Sequence, residues 1–65
     1  MIIIKVNNPY YDREYKTDRT IIEWKGFINN HLRGNETIFS FISNDEVITI
    51  NPAYFASVEV REAKP

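Results

Sequence analysis

Apolar and polar positions alternate most regularly between Glu36 and Val60, where the chain reads ETIFSFISNDEVITINPAYFASVEV. Asn44-Asp45 interrupts two β-branched and aromatic runs. Asn and Asp tolerate positive φ, so a two-residue loop here suits a primed hairpin turn. Closing the hairpin there sets Ser43 opposite Glu46, Ile42 opposite Val47, Phe41 opposite Ile48, Ser40 opposite Thr49 and Phe39 opposite Ile50. One face then carries Phe39, Phe41, Ile48 and Ile50, and the other Ser40 and Thr49 with Ile42 and Val47. A slip of one residue would put Phe39 opposite Thr49 and mix the faces. Pro52 ends the second strand because it has no N–H for a ladder, and residues 52–55 read as one tight or 3₁₀ turn. Ala56, Val58 and Val60 then alternate with Ser57, Glu59 and Arg61, the pattern of a half-buried strand. The three strands are expected to form an antiparallel meander with one apolar face, which needs a cover.

Ahead of the hairpin, Ile2-Ile3-Ile4-Lys5-Val6 predicts a strand and Asn7-Asn8-Pro9 a stop. Residues 7–19 are polar and charged, and read as a long loop. From Thr20 to Gly34 two elements compete. As a helix, Thr20 is an N-cap and Glu23 completes a capping box. Ile21, Trp24, Ile28 and Leu32 form one stripe with Phe27 beside it. His31 and Arg33 sit in the last turn, and Gly34 can close it. As a strand, Ile22, Trp24, Gly26 and Ile28 would share a face. Cap, stripe and stop agree with one another, which favours the helix. Gly26 speaks against it, costing about 1 kcal/mol relative to Ala in a helix interior.

The expected fold is therefore α+β: a small antiparallel sheet, made of the N-terminal strand plus the three-stranded meander, covered by one helix. It forms a single small domain over 1–65, with a strand at 2–6, the loop at 7–19, the helix at 20–33 and strands at 37–43, 46–51 and 56–62. The alternative is an all-β, SH3-like five-stranded barrel. There Pro52 and Tyr54 fall in the matching turn, but the only Trp, Trp24, lies well before the hairpin.

Composition narrows the function classes. A chain of 65 residues buries only about 60% of the surface its unfolded form exposes. Without Cys it has neither disulfide nor thiolate metal site, so self-association is the remaining means of gaining buried surface. The net charge of −1 and pI of about 5.7 are no electrostatic footprint for nucleic acid. The Ile2-Ile3-Ile4 run is too short for a signal peptide or a membrane span, which predicts a cytoplasmic protein with no membrane partner.

Nothing in the chain looks catalytic. Ser40, Ser43 and Ser57 lie on strands or at a turn, without a glycine-rich elbow. His31 has no carboxylate at helical spacing and reads as a solvated helix-end residue. Two glycines cannot build a phosphate-cradling loop, and the carboxylates have no calcium-loop spacing. The expectation is a non-enzymatic protein without metal or cofactor.

Two binding classes remain. Tyr10, Tyr11 and Tyr15 in the predicted loop, with Tyr54 on the turn, are large rigid contact residues with polar tips. With them, or through an exposed sheet edge, the chain would bind a protein partner or a second copy of itself. In the alternative, exposed aromatics stack on bases and Arg13, Lys16, Arg19, Lys25 and Arg33 contact phosphates.

The segment Val47-Ile48-Thr49-Ile50-Asn51-Pro52-Ala53-Tyr54-Phe55-Ala56-Ser57-Val58-Glu59-Val60 resembles the C-terminal half of small phage- and prophage-type proteins of low-GC Gram-positive bacteria. Their shared pattern is a hairpin, Val-x-x-Ile-Asn-Pro and a final strand. The resemblance implies no shared catalytic residue. These proteins are mostly uncharacterised, and a phage-encoded regulator acting on a host protein is one form that the protein-binding expectation takes.

Overall fold

The computed structural model describes residues 1–63. They form β1 (Ile2–Asn8), β2 (Tyr11–Thr17), α1 (Ile21–Leu32), β3 (Phe39–Ser43), β4 (Glu46–Ile50), a 3₁₀ turn (Pro52–Tyr54) and β5 (Ser57–Glu62). The strands lie in two antiparallel sheets, β2-β1-β5 and β3-β4, which do not close into a barrel.

β1 is the middle strand of its sheet. Successive side chains of a strand point to opposite faces, and here Ile2, Ile4 and Val6 are fully buried while Ile3, Lys5 and Asn7 lie on the outer face, partly covered. On one side β1 pairs with β2, Ile2 opposite Thr17 and Ile4 opposite Tyr15. On the other it pairs with β5, Ile4 opposite Val60 and Val6 opposite Val58.

The structure differs from the sequence pattern at residues 7–19 and in the pairing of β5. The long loop at 7–19 is largely strand β2, hairpinned onto β1. Its charged residues Asp12, Glu14 and Lys16 stand on the outer face, where water solvates them, while Tyr15 turns toward the core. A polar composition is what a strand with one wet face requires. The three-stranded meander is absent as well, because β5 leaves β4 and docks on β1. The 3₁₀ turn after Ile50 carries the chain away from its hairpin neighbour. It brings Val58 and Val60 beside the most apolar strand of the chain.

The β3–β4 hairpin has the register that alternation dictates, from Phe39 opposite Ile50 to Ser43 opposite Glu46. Asn44 and Asp45 have φ of 51° and 63°, the two left-handed residues of a type I′ turn. Phe39, Phe41 and Ile50 are buried, and Ile48 is partly buried against them.

α1 begins with the reciprocal capping box: the Glu23 N–H donates to Thr20 Oγ1 at 3.1 Å, and the Thr20 N–H donates to Glu23 Oε1 at 3.1 Å. It ends in a Schellman motif, with Gly34 at φ 80°. The Gly34 N–H bonds the His31 carbonyl at 3.0 Å, and the Asn35 N–H bonds the Asn30 carbonyl at 2.9 Å. Trp24 and Phe27 enter the core, where their ring centroids lie 5.2 and 5.1 Å from that of Phe39. Ile21 and Ile28 pack against the same cluster, but Leu32 is exposed. At 3.6 residues per turn, Leu32 sits about 80° around the helix from Trp24 and His31 about 20°, so His31 holds the inward position of the last turn. Its ring stacks on Phe27, and its Nδ1–H donates to the Glu36 carbonyl at 2.9 Å. His31 is thus a half-buried tie between the helix and the following loop rather than a solvated residue.

The sheets meet along a seam without a backbone ladder. The Ser43 hydroxyl donates to the Lys16 carbonyl at 2.8 Å. Arg19 donates twice to the Ser40 carbonyl, at 2.8 and 3.2 Å, pairs with Glu23, and lies over the Phe39 ring at 5.1 Å. Tyr15 meets Phe41 edge-on at 5.6 Å.

Candidate functional site

Two turns with the same local sequence lie at one end of the three-stranded sheet. Asn8-Pro9-Tyr10-Tyr11 joins β1 to β2, and Asn51-Pro52-Ala53-Tyr54 leads toward β5. Each is built by its asparagine. Asn8 Oδ1 accepts from the Tyr10 and Tyr11 N–H groups at 2.8 and 3.1 Å. Asn51 Oδ1 accepts from the Ala53 N–H at 3.0 Å. A short polar side chain here substitutes for a backbone acceptor. Proline fixes φ near −65°, so neither turn takes the primed form found at Asn44-Asp45.

Both turns fall at this end because β5 pairs antiparallel with β1. Asn7 lies opposite Ser57, and the Ala56 N–H donates to the Asn7 carbonyl at 2.8 Å. This end carries Tyr10, 91% exposed, Tyr54, 80% exposed, and Tyr11, 49% exposed. Phe55 beside Tyr54 turns inward and packs on the core.

Tyr15 does not belong to this group. It is partly buried against Phe41, and its hydroxyl accepts from Arg13 at 3.5 Å, which raises the guanidinium pKa above its ordinary value. The repeated Asn-Pro-x-Tyr is the sequence signal that joins Tyr11 to Tyr54, and sequence reasoning passed over it.

The five candidate phosphate contacts are not brought together. Arg13 turns to Tyr15, and Arg19 is engaged by Ser40, Glu23 and Phe39. Lys16 stands on the outer sheet face, while Lys25 is on the helix and Arg33 caps its end. Across that outer face charges of both signs interleave: Lys5 lies between Glu14 and Glu59, and Ile3 between Lys16 and Arg61. Arg61 reaches Glu14 at 3.7 Å.

An open groove of about 560 Å³ follows the seam between the sheets, lined by Thr17, Arg19, Phe41, Ile42 and Val47 among others. Ile42 and Val47 are exposed on its rim. Among the described residues no cluster of His, Cys, Asp or Glu could hold a metal ion, and no helix is long and apolar enough to cross a membrane. No family model, curated protein or solved structure matches the chain.

Proposed function

We propose that the chain is a non-enzymatic protein-binding module whose contact surface is the tyrosine end, Tyr10, Tyr11 and Tyr54. The observation that carries this reading is the exposure of Tyr10 and Tyr54, 91% and 80%, on two turns that the β1–β5 pairing sets at the same end of the sheet. Aromatic side chains release much apolar area when a partner covers them, and Tyr loses little conformational freedom in doing so. A phage-encoded regulator with a host protein as partner is one form of this reading, compatible with the phage-type resemblance of residues 47–60. A nucleic-acid partner would draw on Arg13, Lys16, Arg19, Lys25 and Arg33, whose dispersal and interleaving with acids weaken that alternative.

Capture from lysate of a low-GC Gram-positive bacterium, with nuclease added, tests this reading. A stoichiometric protein retained by the wild type and lost from the Tyr10→Ala/Tyr11→Ala/Tyr54→Ala variant is the expected result. Equal retention by the variant removes the tyrosine end as the site. Recovery that disappears with nuclease transfers the function to nucleic acid.

A further inference from the structure

The outer edge of β5 has no strand beside it among the described residues. In an antiparallel ladder, opposed residues alternate between hydrogen-bonded and non-bonded pairs. The Ala63 N–H donates to the Met1 carbonyl at 3.1 Å, which in this register makes Ile3–Arg61, Lys5–Glu59 and Asn7–Ser57 the bonded pairs. The N–H and C=O groups of Val58, Val60 and Glu62 therefore point away from β1. Val58 and Val60 are only half-buried, while Ser57, Glu59, Arg61 and Glu62 are exposed.

We infer that β5 pairs antiparallel with β5 of a second copy about a two-fold axis at Val60. This register uses all three outward residues, Val60 on Val60 and Val58 on Glu62. It also sets Glu59 opposite Arg61 twice. A register centred on Glu59 or on Arg61 brings like charges face to face, which is unfavourable directly across a ladder. The number of outward residues engaged and the charge pattern thus favour the same alignment. Across the joined outer face the row Glu14, Lys5, Glu59 continues into Arg61 of the second copy, so the charges alternate across the junction. Edge strands are ready templates for such pairing, and a chain this small gains by the added burial. The other edges are less suited: the seam occupies Ser40 and Lys16, and β4 offers no charge pattern that selects a register. The inference does not rest on the tyrosine end. An antiparallel dimer would carry one such end at each extremity.

Charge reversal tests it. Sedimentation equilibrium should show a dimer for the wild type, and Glu59→Arg or Arg61→Glu should each weaken self-association by roughly tenfold or more. An equimolar mixture of the two variants should restore the dimer, because each Arg then faces a Glu. All four side chains involved are exposed, and circular dichroism checks that the monomers fold. If either reversal unfolds its monomer, Glu59→Gln and Arg61→Gln read the same contact, each again weakening the dimer. A monomeric wild type, variants as dimeric as the wild type, or a mixture that stays monomeric would overturn the inference.

Discussion

The Trp24 indole and the Phe39 ring meet at a centroid distance of 5.2 Å, with the ring planes 86° apart. This T-shaped contact joins α1 to the β3–β4 hairpin, and Phe27 and the Arg19 guanidinium close on the same phenyl ring. Truncating a buried Trp to Ala costs about 3–5 kcal/mol, a large share of what holds a small domain together. Trp24→Ala is expected to be unfolded or close to it at 25 °C, read by loss of near-UV circular dichroism. Leu32→Ala, at an exposed site one turn beyond Ile28, should change stability by less than about 0.5 kcal/mol.

The two glycines should respond in opposite directions. A Cβ at Gly26 would meet nothing within 4 Å, so Gly26→Ala should stabilise the helix by about 1 kcal/mol. Gly34 sits at φ 80° in the helix-ending turn, where a Cβ is strained. Gly34→Ala should destabilise by about 1 kcal/mol. Urea unfolding midpoints of the two variants provide the comparison.

Acid should loosen the helix N-terminus. The Arg19 guanidinium first, and then the Thr20 N–H, hold the Glu23 carboxyl below its usual pKa. A depressed folded-state pKa contributes stability that is present above the unfolded value and is lost as pH falls through the folded one. Stability measured from neutral pH downward should therefore decline through that window, and Glu23→Gln should flatten the decline. Thr20→Ala, which removes the cap, should cost about 1 kcal/mol at neutral pH.

The hairpin turn can be improved. Asp45 adopts φ 63°, a conformation that Gly enters without steric cost and that type I′ turns favour in the second position. Asp45→Gly should raise the thermal midpoint modestly, by the equivalent of a few tenths to 1 kcal/mol. An unchanged or lowered midpoint would mean that Asp45 contributes an interaction beyond its backbone.

The elements differ in how openly the chain announces them. The β3–β4 hairpin is plain because Asn44-Asp45 fixes the turn and the flanking alternation tolerates one register. The helix is marked at its ends by Thr20, Glu23 and Gly34, but Gly26 and the strand-like spacing of Ile22, Trp24 and Ile28 compete with it. β2 is obscure: its outer face is charged, and its inner face mixes Arg13 with Tyr15 and Thr17, so no apolar stripe marks it. The partner of β5 is obscure for another reason. Alternation says that Val58 and Val60 face a core, but not which strand lies beside them, and proximity in sequence wrongly favours β4. The site inherits that difficulty. Tyr10, Tyr11 and Tyr54 stand out singly as exposed contact residues, yet their assembly at one end depends on β5 choosing β1. Tyr15 is indistinguishable from them until its contact with Phe41 is seen.

The most direct test of the tyrosine end is a titration calorimetry comparison of the captured partner binding wild type and the Tyr10→Ala/Tyr11→Ala/Tyr54→Ala variant. The same samples should be melted alongside. The hot-spot residues of an interface, enriched in Tyr, cost about 2 kcal/mol or more when truncated. The Kd of the variant should therefore rise at least about thirtyfold, while its melting temperature stays within a few degrees of wild type, because Tyr10 and Tyr54 hold little of the fold. An unchanged Kd with an intact fold would place the contact surface elsewhere on the molecule and contradict the account.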